Sequence, residues 1–265
     1  MEQLCRNINM PEEVTLKLAA LHRTMEVFPC LDLLMQRETW NEGLEQLKHA
    51  VGEDPGGFRR LCCMLRCALT AKTEYDRLGI PEKIYTDTMA AFSRFVREHM
   101  ESYGCYGFDR GFWTTRQVSA KLFRIGQLEY ELSTREGAPI VSLHIPTDVD
   151  LRPAVLRPSI LEGLTELYRF FPDYEGRPVR CHSWLLSPLL KELLPETSNI
   201  LRFQEMFDLE PGGTPGNDVL LWVFKNPRLP KADYPENTSL QRKLKQFFLN
   251  GGHFLEGSGC LRLPV

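Results

Sequence analysis

The hydrophobic period of this chain changes once, near residue 119, and that change constrains the fold more than any other feature. Before it, apolar residues recur with the 3.6-residue period of a helix. Pro11 opens one such segment, with Val14, Leu18, Leu21 and Met25 on a single face. Thr39 and Glu42 have the spacing of a capping box before Leu44, Leu47 and Val51. Asp54 and Pro55 read as N-cap and first helical residue ahead of Phe58, Leu61, Cys62, Leu65, Ala68 and Leu69. Gly79 ends that helix and Pro81 starts another, whose face is Ile84, Thr88, Phe92, Phe95, Val96 and His99. Each helix has one apolar stripe, so the expectation for 1–118 is a bundle whose helices bury one another.

After 119 the period shortens to two. FRIGQLEYEL (123–132) and IVSLHI (140–145) read as two strands of a hairpin joined by the turn-rich Ser133–Pro139. Ser159 and Glu162 suggest a second capping box, with a helix running from Ser159 until Pro172 stops it. VRCHSWLL (179–186) reads as a strand, and Ser187–Pro188 as the start of a short helix. Leu201–Leu209 and Val219–Phe224 flank PGGTPGND as a further hairpin, and Thr238 with Gln241 opens the last helix, which stops at Gly251–Gly252. The fold class implied is α+β: an N-terminal helical bundle (1–118) packed on a mixed sheet with flanking helices (119–265).

Composition narrows the function classes. Thirty-two basic against thirty-five acidic residues give a net charge of −3, the wrong balance for a nucleic-acid partner. No apolar run approaches the ~20 residues that span a bilayer, and MEQLCRNINMPEEV lacks the basic-then-apolar pattern of a secretory leader. A cytoplasmic protein with a small-molecule substrate, no membrane and no nucleic acid is the expectation. The eight cysteines then read as reduced thiols. Cys63 and Cys67 share a helical face, but no second ligand pair follows them, so no metal site is expected. P-loop, Rossmann, zincin, G-x-S-x-G and EF-hand motifs are absent.

FRIGQLEYEL, SLHIP, CHSWLLSP, SNILRFQEMF and TSLQRKL, spread over most of 119–265, resemble the GNAT-like C-terminal domain of bacterial acyltransferases. The helical first half is similar to the N-acyltransferase N-terminal domain that precedes it. The resemblance implies acyl-CoA as co-substrate, an amine or hydroxyl acceptor, and no metal. It places IVSLHI before a pyrophosphate-binding helix, makes VRCHSWLL the splayed strand next to it, and ends in a hairpin over Leu201–Phe224. Ligand would enter where these two strands diverge, flanked by His144, His182 and the helix beginning at Ser159. His144, His182 and Glu129 are the candidate proton-transfer residues, because an attacking amine must lose a proton. Ile145 would supply a backbone N–H to the thioester oxygen. Arg152, Arg157 and Ser159 would hold phosphate in a segment, Asp150–Ile160, that contains no glycine. Gln127, Ser183 and Trp184 would contact substrate. A catalytically silent protein of the same fold, binding a ligand or regulating a partner, is the alternative.

Overall fold

The computed structural model describes residues 1–262, which divide into two compact units, residues 1–125 and residues 126–262.

The first unit is helical: α1 (Glu2–Asn7), α2 (Glu12–Thr24), α3 (Leu31–Leu34), α4 (Trp40–Val51), α5 (Phe58–Arg77), α6 (Glu82–Tyr103) and α7 (Gly111–Val118), followed by the short β1 (Leu122–Ile125). The sequence period survives in α5 and α6, where Leu61, Cys62, Leu65, Ala68, Ile84, Phe92, Phe95 and Val96 are all buried. Tyr75 lies at their centre, edge-on to Tyr85 and Phe123, and donates its hydroxyl to the Gln117 carbonyl at 2.8 Å. Arg66 closes the C-terminus of α2: its guanidinium donates to the carbonyls of His22, Met25 and Glu26. The His22 carbonyl is one that the helix end leaves without an internal partner, and those of Met25 and Glu26 belong to the chain leaving it.

Two of the expected caps form differently. Asp54 does cap α5, but from outside the helix. Its carboxylate accepts the N–H groups of Arg59 and Arg60 at 3.2 and 2.9 Å. Gly57, at φ +69°, makes the entry, and any Cβ there would lie 1.9 Å from the Phe108 carbonyl oxygen. The Thr39–Glu42 box does not form. The Thr39 hydroxyl donates to the Leu33 carbonyl instead, tying α4 back to α3.

In the second unit β2 (Leu128–Arg135) and β3 (Ala138–His144) form an antiparallel hairpin. Its turn is Glu136–Gly137, both with positive φ, as a tight right-twisting hairpin requires. The helix α8 (Pro153–Phe170) then leads to β4 (Val179–Ser183), which runs parallel to β3. After α9 (Leu190–Leu193) and α10 (Asn199–Gln204) come β5 (Phe207–Leu209), β6 (Thr214–Pro215), α11 (Asp218–Phe224), α12 (Ser239–Leu249) and β7 (Leu255–Leu261). The strand order is β2-β3-β4-β7-β5, with β6 also on β7. Apolar Leu128, Tyr130 and Leu132 alternate along β2 on one face. There α8 packs closely enough for the Tyr130 hydroxyl to donate to the Ser159 carbonyl at 3.4 Å. Leu190, Val219, Tyr234, Leu244 and Phe248 bring α9, α11 and α12 together in a second cluster, with Phe224 stacked on Tyr234.

Four readings from periodicity are corrected. FRIGQLEYEL is not one strand, because Gly126, at φ +65°, breaks it into β1 and β2. The helix expected from Ser159 starts six residues earlier, at Pro153, with Pro158 inside it. Ser159 is an interior residue, and its hydroxyl accepts the Gln127 N–H at 2.9 Å instead of capping. Leu201–Leu209 and Val219–Phe224 do not pair as a hairpin. The first holds α10 and β5, and the second is α11. A six-residue apolar run carries no period of its own, and the local decision falls to Glu256, whose carboxylate accepts the Asp218 N–H at the helix start. The strand between β4 and β5 is β7, whose Gly257-Ser258-Gly259 looks like a loop in sequence. A Cβ at Gly257 would lie 2.1 Å from the Leu186 carbonyl oxygen, so the glycine is a packing requirement. VRCHSWLL is also shorter as a strand than expected, since Trp184–Leu186 turn into a 3-10 helix.

Candidate active site

Registered pairing between β3 and β4 covers Val141–Val179 and Ser142–Arg180. Both strands continue beyond it, β3 to His144 and β4 to Ser183. Two residues past the Ser142–Arg180 pair stand His144 and His182, on the same face by alternation. The sheet thus carries two imidazoles at the C-terminal ends of adjacent parallel strands, where ligands gather in open sheets of this kind.

Each imidazole has a carboxylate from its other neighbouring strand. On β2, Glu131 places Oε2 at 2.9 Å from His144 Nε2. On β7, Glu256 places Oε2 at 3.3 Å from His182 Nε2. Both carboxylates are buried, while His182 keeps half of its side chain exposed and His144 about a quarter (51% and 23%). The Ser258 hydroxyl sits 2.9 Å from His182 Nδ1. A carboxylate beside an imidazole orients the ring, and an imidazole can take up a proton from a bound acceptor.

The other sequence candidates are distributed as follows. Glu129 is buried and lies opposite His144 in the β2–β3 register, and the Glu131 carboxylate is within hydrogen-bond distance of the ring. The polar face of β2 is therefore an interior face. Gln127 is not on it. It precedes β2, and its side-chain oxygen accepts the Asp150 N–H at 2.9 Å, which fixes the β3–α8 connection. Ile145 follows β3 directly. Arg152 is the N-cap of α8, and its guanidinium donates to Asp150, which holds the Asp150 carboxyl below its usual range. Arg157 is exposed, with no partner among the described residues. The Ser183 hydroxyl accepts the Leu185 N–H, a turn contact, and Trp184 packs on the Phe224–Tyr234 cluster. Near that cluster a cavity of about 240 Å³ is lined by Asn217, Leu220, Lys231, Tyr234 and Phe248. Its Gly216 wall abuts the Glu256 carboxylate.

Sequence reasoning missed Glu256, Ser258 and the role of Glu131. A signal existed in Glu-Gly-Ser-Gly-Cys: side chains at 256, 258 and 260 alternate with glycine, which is a period of two hidden by missing side chains. The cysteines behave as expected from burial. Burial pushes the Cys63 and Cys181 thiols up to about 12. No group of three or more His, Cys, Asp or Glu side chains suited to a metal occurs among the described residues. None of their helices is long and apolar enough to cross a membrane.

Residues 122–261 match the GNAT-like C-terminal domain, and residues 1–120 match the N-acyltransferase N-terminal domain. The fold is shared with the crystal structure of an acyltransferase in complex with decanoyl-CoA, at 25% identity and TM-score 0.80, over 99% of this chain and 87% of that one. It is shared equally with an acyltransferase in complex with decanoyl-CoA and teicoplanin, at 24% identity and TM-score 0.82, with the same coverage. A search of curated proteins gives no match. With both of its halves matched in order, the chain belongs to the acyltransferase family that joins an N-acyltransferase N-terminal domain to a GNAT-like C-terminal domain.

Proposed function

We propose that this protein moves an acyl group from acyl-CoA to the amine or hydroxyl of a small acceptor, with residues 1–118 and 119–265 as its two domains. The observation that carries the reading is the pair of carboxylate-backed histidines where β3 and β4 stop pairing, in a chain of this family. Acyl transfer needs a base for the acceptor, and His182, half exposed, is the residue we assign to it. His144 stands across the opening, held by Glu131, with Glu129 opposite it in register. The acceptor's lone pair attacks the thioester carbonyl, the C–S bond breaks, and the acceptor's proton passes toward His182. The Ile145 N–H steadies the developing oxyanion.

CoA phosphates are assigned to the first turns of α8, where the helix dipole and Arg157 favour anions. Arg152 joins them by exchanging its bond to Asp150 for one to phosphate. Ser159, committed to Gln127, serves this site by anchoring α8 and not by direct contact. Gln127 acts in the same way, while Ser183 and Trp184 shape the wall nearest β4. The related structures with decanoyl-CoA bound support a medium-chain donor. Eight unpaired cysteines suit a reducing bacterial cytoplasm.

The test uses decanoyl-CoA as donor. Calorimetry is expected to show binding, and an amine panel that includes teicoplanin is expected to release free CoA. The His182→Gln variant should bind the donor normally and release CoA at least about a hundredfold more slowly. An unmutated protein that binds decanoyl-CoA but transfers to nothing would favour the silent, ligand-binding reading. No binding at all would remove the CoA assignment.

A further inference from the structure

His182 is engaged at both ring nitrogens, and the two partners differ in kind. Glu256 Oε2 lies 3.3 Å from Nε2, and Ser258 Oγ lies 2.9 Å from Nδ1. His182 and Ser258 are register partners on β4 and β7, and Glu256, two residues before Ser258, is on the same face. Glu256 is buried and held from two further directions. Its Oε1 accepts the Asp218 N–H at 3.0 Å, and Gly216 lies so close that a Cβ there would come within 2.0 Å of that oxygen.

An ionised carboxylate only accepts hydrogen bonds, so it draws the single proton of a neutral imidazole to Nε2. Nδ1 then holds the lone pair, and the Ser258 hydroxyl is the donor beside it. The basic nitrogen of His182 is thus covered by a hydroxyl. An acceptor reaching it from outside meets Ser258 first.

We propose that Glu256 and Ser258 form a proton relay with His182, in which Glu256 is a positioning residue that fixes the ring's tautomer and Ser258 passes the acceptor's proton inward. This rests on the reading of His182 as the base. As the acceptor nitrogen bonds to the thioester carbon and the C–S bond breaks, the nitrogen's proton moves to Ser258 Oγ. The proton Ser258 held moves at the same time to Nδ1. The result is an imidazolium facing the Glu256 carboxylate, an amide and a CoA thiolate. The return of the Nδ1 proton through Ser258 to the thiolate restores the neutral ring and releases CoA as thiol.

The connectivity Glu–His–Ser is also that of a nucleophilic triad. The relay is favoured because β7 is paired with β4 on one edge and β5 on the other. Its backbone N–H groups serve the sheet and are not gathered beside Ser258 as an oxyanion hole for attack by that residue.

The experiment compares wild type with Ser258→Ala, Ser258→Thr, Glu256→Gln and His182→Gln. One readout is decanoyl transfer from decanoyl-CoA. The second needs no substrate: long-range nitrogen–proton spectra of protein labelled with nitrogen-15 histidine, with the His182 signals assigned by their loss in His182→Gln. The expected spectrum has His182 protonated at Nε2 in wild type and a mixture of tautomers in Glu256→Gln. Ser258→Ala is expected to lower kcat about tenfold or more at unchanged KM for decanoyl-CoA, and Ser258→Thr to restore most of it. Protonation at Nδ1 in wild type, or full turnover in Ser258→Ala, overturns the relay. A decanoyl adduct found by intact mass in wild type and lost in Ser258→Ala also overturns it, making Ser258 a nucleophile. Full activity in His182→Gln would instead overturn the base assignment on which the relay rests.

Discussion

The helical unit and the sheet unit both bury ionisable side chains, with opposite results. In α5, Cys62, Cys63 and Cys67 are packed among apolar groups, and desolvation drives their thiols upward, Cys63 to about 12. Arg66, on the same helix, spends its guanidinium on three carbonyls at the end of α2. In the sheet, Glu131 and Glu256 are equally withdrawn from water, yet each faces an imidazole that is partly open to it. Burial of a lone ionisable group silences it. Burial of one member of a pair at the edge of an opening directs the other. The difference is the one expected between a supporting unit and the unit proposed to react.

That contrast is broken most severely at Arg66. Arg66→Ala leaves three carbonyls, one in the last turn of α2 and two just after it, without their donor and is expected to cost about 3 kcal/mol, read by urea denaturation. If α5 is purely structural, the purified variant at low temperature should still bind decanoyl-CoA with wild-type affinity. A change in affinity at full foldedness would mean that the helical unit takes part in ligand binding. Next in size is Arg157→Ala, which removes an uncommitted charge near the start of α8. It should weaken decanoyl-CoA binding about tenfold, equivalent to ~1.4 kcal/mol, and leave the melting temperature unchanged. Arg152→Ala should weaken it less, because that guanidinium is already shared with Asp150.

Thiol labelling sharpens the same contrast from the other side. Cys105 is exposed, whereas Cys5, Cys30, Cys62, Cys63, Cys67 and Cys181 are buried. One rapidly alkylated cysteine per folded chain is expected, with Cys260 slower and the rest reacting only on unfolding. Fast labelling of Cys63 or Cys67 would contradict a static helical core.

The smallest effect is at Glu210 in the sheet unit, where Arg180 first and Arg135 second hold the carboxyl below its usual range. A depressed acid contributes stability above its ordinary value, and that contribution disappears as pH falls through the lowered one. Glu210→Gln should therefore melt slightly below wild type at pH 7, with the difference closing as the pH falls into the acid range. A deficit that persists in acid would assign the effect to packing.

The helical half was legible in sequence because α4, α5 and α6 each have an apolar stripe and run into a glycine, Gly52, Gly79 and Gly104. The sheet half was legible only in part. His144 and His182 stood out as polar residues at strand ends, and both do lie where β3 and β4 part. Their partners did not. Glu131 differs from Glu129 by one step of the same alternation; the register sets Glu129 opposite His144, and the Glu131 carboxylate, opposite Ser142, lies 2.9 Å from the ring. Glu256 and Ser258 lie in a glycine-rich segment whose strand character comes from neighbours on both sides and not from its own residues. The start of α8 was displaced for a related reason. Pro158 normally bars a helix interior, and Ser159 looked like a cap while it was in fact a socket for the Gln127 backbone.

The place of β7 has a consequence in time as well as in space. His182 and Ser258, which meet across β4 and β7, are 76 positions apart in the chain. The β2–β3 hairpin can form from neighbouring residues within microseconds, but β4 must wait for a strand that arrives after four helices and two short strands. Loops of that length close slowly, and an unpaired strand edge is exposed in the interval. The proposed relay therefore exists only after the last long-range pairing of the sheet, so partly folded chains would hold the histidine without its partners. Activity should recover on refolding with the slow phase that reports β7, later than the helical signal.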